Sequence, residues 1–149
     1  MKETDFILSN FDISKTSNGS VTWKTPSNIA LVKYWGKQEP QLPENTSISF
    51  TLDACCTITT LEFSKKENVS SNFNFEIFFE GEKKDDFKPK IQKFFERIDQ
   101  YVPFLKEYNF VIKSRNSFPH SSGIASSASG MSALAMCVMT IEKELNPTI

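Results

Sequence analysis

The sequence contains very little of what metal centres and nucleic-acid interfaces require. Only one of its 149 residues is histidine, and its three cysteines show no CxxC spacing, so a zinc site is not expected. Seventeen basic residues against eighteen acidic ones leave a formal net charge of −1. Proteins that bind nucleic acids or anionic membranes carry a basic surplus, which neutralises phosphates. We therefore predict neither a nucleic-acid nor a membrane partner.

Long apolar stretches are also missing. No run approaches the roughly 20 apolar residues that span a bilayer. Residues 1–20 lack the basic head and apolar core of a secretory signal. Cys55, Cys56 and Cys137 are odd in number and sparse, which is typical of a reduced protein. Together these observations predict a cytoplasmic location.

The sequence does contain a clear succession of strand patterns. Six segments are predicted to be strands: 21–25, 28–35, 46–52, 56–63, 73–80 and 108–114. We expect Pro26 to separate the first two. The dipeptide Asp53-Ala54 is short enough to join the third and fourth as a hairpin.

Helical periodicity appears twice, and it completes the predicted architecture. Apolar residues at helical spacing predict one helix from Phe87 to Val102 and a second from Ile124 to Ile141. The second predicted helix has no charged residue before Glu142, so we expect it to be buried on most sides. The order predicts an α+β domain over 21–149. We expect residues 1–20 to form a polar leader, either mostly loose or an added edge segment.

A loop of small residues joins the last predicted strand to the second helix. The segment SFPHSSGIASSASG, residues 117–130, contains six serines and two glycines. The start of a helix has unpaired N–H groups and partial positive charge, and small side chains let an anion approach them. Ser126 and Ser127 can add hydroxyl donors or a Mg²⁺ ligand. The alternative is that these residues only cap the helix and permit tight packing.

Two motifs in this chain resemble those of a known family. PHSSGIASSA, read as P-x-x-x-G-[LI]-x-S-S-A, resembles the phosphate-binding loop of the GHMP kinase superfamily. PSNIALVKYWGK and LPENTSISFTL are similar to the N-terminal signature of the diphosphomevalonate decarboxylase family. The resemblance covers most of 21–145, in the family's order and spacing. It implies the GHMP-kinase N-terminal domain fold (ribosomal protein S5 domain 2-like), with an antiparallel-rich sheet and helices packed on one side.

The resemblance also implies which residues bind each reactant. It implies that ATP is bound by Pro119, Ser122, Gly123, Ile124, Ala125, Ser126 and Ser127, and that Ser127 also binds Mg²⁺. It implies that the diphosphate of the substrate is bound by Tyr34, Trp35, Gly36, Lys37 and, at the start of the first helix, Lys90. The implied catalytic residues are Ser127 and Lys33, which would lie beside the catalytic aspartate and the reacting end of the substrate.

Each of these residues also has a simpler structural interpretation. Lys33 lies in an otherwise apolar strand, where burial without an anionic partner would be costly, but its side chain could instead extend to the surface. Trp35 could instead be a core residue, and Lys90 could be a lysine on the solvent-exposed face of the helix. His120 stands where the family usually reads P-T-A-A-G, and it is either a nucleotide contact or a partly exposed loop residue.

The activity implied by the resemblance is ATP-dependent decarboxylation of mevalonate diphosphate to isopentenyl diphosphate, in isoprenoid biosynthesis. The cofactors would be ATP and Mg²⁺, and family members are often homodimers. The catalytic aspartate and a second substrate loop of the family lie beyond the equivalent of Ile149, so we expect no turnover from residues 1–149 alone. The alternatives are another GHMP small-molecule kinase, a phosphomevalonate decarboxylase and a non-catalytic binding module.

Overall fold

The chain folds around a five-stranded sheet. The computed structural model describes residues 7, 11–33, 35–39, 42–68 and 70–146. Its strands are β1 (Asn18–Val32), β2 (Lys37–Gln38), β3 (Leu42–Pro43), β4 (Ile48–Lys65), β5 (Asn74–Phe79), β6 (Glu82–Lys83) and β7 (Tyr108–Asn116). Its α-helices are α1 (Lys88–Ile98) and α2 (Ser126–Leu145). Strands β2 and β3 form a separate small ribbon, and the main sheet has the order β1-β4-β7-β5-β6.

The strand directions confirm the α+β, antiparallel-rich prediction. Only β5 and β7 run parallel, and every other neighbouring pair in the main sheet is antiparallel. The connection from β5 to β7 contains β6 and α1, as a crossover between parallel strands requires. The chain then passes from β7 through the small-residue loop into α2, in the order that the sequence predicts.

Alternation along the central strands places the core on one face of the sheet. In β4, Leu61 and Phe63 are buried while Glu62 between them reaches solvent. The two helices bury their apolar sides against that face, α1 through Ile91 and Phe95. Helix α2 contributes to the same core the buried residues Leu134, Cys137, Val138, Ile141 and Leu145.

The predicted hairpin at Asp53-Ala54 is wrong. The segments 46–52 and 56–63 form one strand, β4, that runs antiparallel to a single β1. The pairing changes from Pro26 opposite Cys56 to Ser27 opposite Leu52, so residues 53–55 have no partner on β1 and form a bulge. Pro26 is tolerated because β1 is the outer strand of the sheet, where a missing N–H breaks no ladder.

Part of the polar leader is ordered against the core. Strand β1 begins at Asn18, and Phe11 and Ile13 pack on the core cluster. The hydroxyl of Tyr108 donates a hydrogen bond to the carbonyl oxygen of Thr16 over 2.7 Å. The described residues 11–17, which form no strand, thus pack on the core and hydrogen-bond to it.

The three cysteines carry free thiols. Burial raises the pKa of the Cys137 thiol to about 11, so this thiol stays neutral and unreactive at physiological pH. Among the described residues, no helix combines the length and apolar character that a membrane crossing needs.

Replacing Phe95 by alanine should cause a large loss of stability. Its ring is fully buried, and its centroid lies 5.4 Å from that of Phe75 and 5.6 Å from that of Phe73. We expect Phe95→Ala to lower the free energy of unfolding by about 3–5 kcal/mol in urea titrations. Met139→Ala, at a side chain that is 58% exposed, should cost about 0.5 kcal/mol or less. Equal losses in the two variants would contradict this core.

Candidate functional site

The loop before α2 contains three residues in the left-handed backbone region. Ser121, Gly123 and Ala125 have φ angles of 62°, 82° and 55°, and Ala125 directly precedes the helix. A Cβ at Gly123 would meet no atom within 4 Å, so its conformation, rather than its space, favours glycine there. For serine and alanine this conformation costs about 1–3 kcal/mol, and such strain is concentrated at functional sites.

Buried hydroxyl groups attach the first turn of α2 to the sheet. We call Thr25, Ser27, Thr57 and Ser129 the hydroxyl clamp. Ser27 Oγ donates to the carbonyl oxygen of Ile124, and Thr25 Oγ1 donates to that of Ser129 over 2.7 Å. Thr57 Oγ1 and Ser129 Oγ are 2.6 Å apart and share a hydrogen bond. The clamp fixes the start of the helix against both β1 and β4.

The sequence analysis did not single out the clamp residues. A signal was nevertheless present, because Thr57 and Thr59 fall on the same alternating face as Leu61 and Phe63 and all four are buried. Hydroxyl groups on a core-facing strand need partners. The sequence alone does not show that the partner is the start of α2.

A cavity of about 300 Å³ lies beside this helix start. Its apolar wall consists of Ile77, Phe79, Phe87, Ile91, Ile112, Met131 and Leu134. The polar residues around it are Thr57, Thr59, Asp86, Lys90, Ser114, Asn116, His120, Ser126 and Ser127. The crossover and the small-residue loop thus enclose one concave site, with an apolar interior and polar groups that converge on it.

The cavity brings Lys90 together with the serines of the loop. Lys90 is the third residue of α1 and is exposed, and it lines the same cavity as Ser126 and Ser127. Trp35, Gly36 and Lys37 do not line it. Lys90 is therefore placed where it can contact whatever the loop binds, and its implied contact with the substrate diphosphate stays a prediction.

Asn116 presents an unused donor at this cavity. Its Oδ1 accepts a hydrogen bond from Thr57 Oγ1 over 2.8 Å, which leaves Nδ2 as the free end of the amide. Within the described ranges, Asn116 Nδ2 and Asp99 Oδ1 are the buried side-chain polar atoms that have no hydrogen-bond partner. An unpaired buried donor is costly, so an acceptor atom on a ligand would be favourable here.

His120 packs beside the cavity against two aromatic rings. Its ring centroid lies 5.0 Å from that of Phe79 and 5.8 Å from that of Phe87, and the residue as a whole is exposed. It also lines the cavity. The structure thus combines the two interpretations of His120 that the sequence left open, since the residue is exposed and also borders the candidate ligand site.

The second group of predicted residues surrounds the end of β1. Strand β1 ends at Val32, so Lys33 lies just beyond the strand. Its side chain is exposed, which is the surface alternative that the sequence left open. Trp35 is 82% exposed and does not belong to the core. Tyr34 lies outside the described residues. Lys37 belongs to β2 and pairs with Pro43.

Asn45 holds this second group in place. Its Oδ1 accepts a hydrogen bond from the N–H of Trp35 over 2.7 Å, and its Nδ2 donates to the carbonyl oxygen of Lys33 over 3.3 Å. Gly36 has a φ of 87°, and a Cβ there would collide with the carboxylate of Glu44. The positive φ therefore favours glycine at 36, whereas the carboxylate of the flexible Glu44 side chain could move aside.

The two groups lie at opposite ends of one strand segment. Ser27 contacts the small-residue loop, and Lys33 lies six residues further along the chain. At about 3.3 Å per residue this separation is about 20 Å. In the part of the chain that the structure describes, no group of three or more His, Cys, Asp or Glu residues could hold a metal ion.

Comparisons with known proteins identify relatives of one family. Residues 25–148 match the family model of the diphosphomevalonate decarboxylase-like N-terminal domain. The diphosphomevalonate decarboxylase of Gibberella zeae is 35% identical over 127 residues, which are 76% of this chain and 32% of that protein. The Bos taurus diphosphomevalonate decarboxylase is 34% identical over 131 residues, 77% of this chain and 32% of that protein. The chain spans about a third of the length of these relatives.

Solved structures show the same relationship. The mevalonate diphosphate decarboxylase of Staphylococcus aureus superposes with a TM-score of 0.67 at 29% identity, over 89% of this chain and 38% of that one. A complex of MDDEF with MVAPP, AMPPCP and magnesium superposes with a TM-score of 0.63 at 34% identity, over 80% of this chain and 35% of that one. These neighbours confirm the predicted fold.

The hydroxyl clamp should contribute measurably to stability. Thr57→Val keeps the shape of the side chain but removes the hydrogen bonds to Ser129 and Asn116, and we expect it to cost about 1–3 kcal/mol of unfolding free energy. The matched control is Thr60→Val, which removes the exposed 2.8 Å hydrogen bond to Thr22 and should change stability by about 0.5 kcal/mol or less. Urea denaturation measures both. A clamp of no structural importance would leave the two variants equally stable.

Proposed function

Because the chain belongs to the family of diphosphomevalonate decarboxylase-like N-terminal domains, we propose that it binds ATP with Mg²⁺ and presents them to mevalonate diphosphate. The proposed reaction is the ATP-dependent decarboxylation that yields isopentenyl diphosphate. The observation that carries the proposal is the left-handed loop that enters α2 beside a cavity lined by Lys90, Ser126 and Ser127. We also propose that 21–149 acts as the ATP-binding unit, in a cytoplasmic and homodimeric protein.

The phosphates of ATP would bind at the start of α2. The first N–H groups of a helix have no internal partners, and its dipole places partial positive charge at that end. The first turn of this 20-residue helix contains no acidic side chain that would oppose an anion. The clamp holds these groups in place before the ligand arrives, which reduces the entropy lost on binding.

The base of the nucleotide would enter the adjoining cavity. Ligand pockets are mostly apolar with a few placed polar groups, and this cavity combines a wall that includes Ile77 and Leu134 with the free Nδ2 of Asn116. Lys90, at the same cavity, would supply the cation that a polyphosphate requires. This placement differs from the role at the substrate diphosphate that the family resemblance implied for Lys90.

Ser127 suits the proposed Mg²⁺ contact. Its position in the first turn of α2 is exposed, so its hydroxyl oxygen can reach a bound ion. Mg²⁺ prefers oxygen ligands and keeps several waters, so one protein hydroxyl beside the phosphates is a sufficient protein contribution. Bound there, the ion would neutralise charge on the transferring phosphoryl group.

Mevalonate diphosphate would bind at the end of β1. Trp35, Gly36 and Lys37, together with Tyr34 from the family motif, are the proposed contacts of its diphosphate. Lys33 is exposed, and the Asn45 hydrogen bond to its carbonyl oxygen fixes its backbone, so its ammonium group can reach a substrate that binds there. A diphosphate bound far from the reacting carbon contributes binding energy that orients the substrate.

The chemistry needs two charge-neutralising regions. Hydroxide is a poor leaving group, so the tertiary hydroxyl first accepts the γ-phosphoryl group of ATP, while ADP leaves and the hydroxyl proton passes to the catalytic aspartate that the family resemblance implies. Phosphate then departs with the electrons of its C–O bond. The electrons of the C–C bond to the carboxylate form the alkene, and CO₂ is released. The helix start stabilises the transferring phosphoryl group, and Lys33 stabilises negative charge near the reacting end.

Nucleotide binding can be tested on Ser127. We expect Ser127→Ala to raise the dissociation constant of a non-hydrolysable ATP analogue with Mg²⁺ about tenfold, equivalent to about 1.4 kcal/mol, in titration calorimetry. Ser132→Ala, an exposed serine further along the same helix and outside the cavity lining, is the control and should bind normally. Normal binding by Ser127→Ala would remove this serine from the site, and no binding by the unsubstituted chain would refute the proposed function.

Lys33 can be tested by following CO₂ release from mevalonate diphosphate by residues 1–149 completed with the catalytic aspartate and second substrate loop of the family. We expect Lys33→Ala to lower turnover about 100-fold, because it removes charge stabilisation at the reacting end. Its affinity for the ATP analogue should not change, since the loop lies about 20 Å away along the strand. Lys24→Ala, an exposed lysine on the same strand, is the control. Full activity in Lys33→Ala would contradict the assigned role.

A further inference from the structure

The cavity beside the start of α2 has a lining in which the permanent charges cancel. Among the described residues that line it, the charged ones are Asp86 and Lys90, one negative and one positive. Aspartate and lysine ordinarily keep these charges near neutral pH. The lining also contains His120. The net charge of the lining is therefore zero when the imidazole of His120 is neutral and positive when it is protonated.

Histidine is the residue type whose charge ordinarily changes between pH 5 and 8. His120 is the single histidine of the sequence, and it is exposed, so its ring exchanges protons directly with water. It stands where the family motif P-T-A-A-G usually has threonine, a side chain that does not titrate in this range. A group that changes charge near neutral pH at this point therefore distinguishes this chain from the usual motif.

Two aromatic contacts hold the imidazole at the edge of the cavity. The ring centroid of His120 lies 5.0 Å from that of Phe79 and 5.8 Å from that of Phe87. Phe79 is the last residue of β5, and Phe87 directly precedes α1. The imidazole is thus fixed between β5 and the start of α1, at the same cavity that Ser126 and Ser127 line.

The other charged groups on the elements that pack against the imidazole are already engaged elsewhere. Glu80, which follows β5, accepts a hydrogen bond from the backbone N–H of Asn116 over 2.8 Å. Asp85, in the turn before α1, pairs with Lys88 over 2.8 Å. Neither of these carboxylates lines the cavity. The segment 116–141, which includes the loop itself and most of α2, contains no Asp, Glu, Lys or Arg.

We propose that protonation of His120 strengthens the binding of nucleotide phosphates at this cavity, so that the affinity for ATP with Mg²⁺ rises as the pH falls from 8 to 6. The inference rests on the proposed function, because it needs a polyphosphate at the start of α2. An imidazolium attracts phosphate oxygens and donates charge-assisted hydrogen bonds to them. By linkage, bound polyphosphate must in turn increase the protonated fraction of His120 at a given pH.

The first test compares nucleotide affinity at two pH values. The full 149-residue chain is titrated by calorimetry with a non-hydrolysable ATP analogue and Mg²⁺ at pH 8 and at pH 6, at equal ionic strength. The dissociation constant of the unsubstituted chain should fall about fivefold more than that of His120→Thr, which carries the residue of the family motif. Protonation of the analogue itself affects both proteins equally. At about 1 M salt, which screens charges beyond about 3 Å, the difference should shrink.

A second histidine position provides the matched control. Ser132 is exposed on α2 and lies outside the cavity lining. The double variant His120→Thr/Ser132→His therefore keeps one histidine in the chain but places it away from the cavity. It should show the same pH dependence as His120→Thr. Thermal unfolding at both pH values verifies that each variant is folded.

A measurement on the unsubstituted chain tests the same linkage without any substitution. The single histidine gives one imidazole Hε1 resonance in the proton NMR spectrum, which is followed from pH 5 to 9. A saturating concentration of the analogue with Mg²⁺ should move the titration of this resonance to higher pH, because the ligand favours the protonated ring.

The outcomes separate this proposal from the proposed function. The proposal is overturned if the unsubstituted chain and His120→Thr change affinity equally between pH 8 and 6, if the double variant regains the pH dependence, or if the analogue leaves the histidine titration in place. Each of these results, obtained with an analogue that binds, leaves the proposed function standing. An analogue that binds at neither pH refutes the proposed function and this proposal together.

Discussion

The site depends on one constraint, which is the attachment of the start of α2 to the two neighbouring strands. A helix terminus can bind an anion only if its N–H groups are held where the anion arrives. Here the hydroxyl groups of Thr25, Ser27 and Thr57 bind the backbone and side chain of the first turn and the carbonyl oxygen of Ile124. These side chains are short and buried, so the helix start has little freedom to move. The strained left-handed residues before the helix persist because this attachment fixes both ends of the turn.

Strands β1 and β4 each pass through two different environments. Their inner halves lie over the core, where Leu61 and Phe63 alternate with solvent-facing residues. Their outer halves are uncharged and exposed, and they lead to Lys33 and the Asn45 contacts. The break between the halves is the bulge at residues 53–55 opposite Pro26. One continuous pair of strands can thereby contact the small-residue loop at Ser27 and carry the proposed substrate residues at its far end.

The crossover between β5 and β7 adds the second side of the proposed nucleotide site. Because parallel strands require a long connection, α1 has to pass over the sheet, and its first turn then faces the first turn of α2. This places Lys90 at the cavity that Ser126 and Ser127 also line. Two helix starts, one bearing a lysine and the other a row of small residues, thus border one cavity with an apolar interior.

Much of the secondary structure of this protein could be predicted from its sequence, because the pattern of apolar and polar residues in a segment determines whether that segment forms a strand or a helix. The strand–loop–helix order, the α+β class and the loop before α2 follow from periodicity and from small residues at a helix start, and the structure confirms them. The hairpin at Asp53-Ala54 was wrong because a short polar pair suits a turn and a bulge equally, and only the pairing with β1 distinguishes them. The sequence left both a buried and a surface position open for Lys33, because exposure depends on where the neighbouring strand ends. The clamp was missed because the sequence does not show which strand residues meet the start of α2. The sequence by itself determined which segments form strands and helices, whereas only the tertiary structure decided which side chains meet, since those contacts join residues as far apart as Thr25 and Ser129.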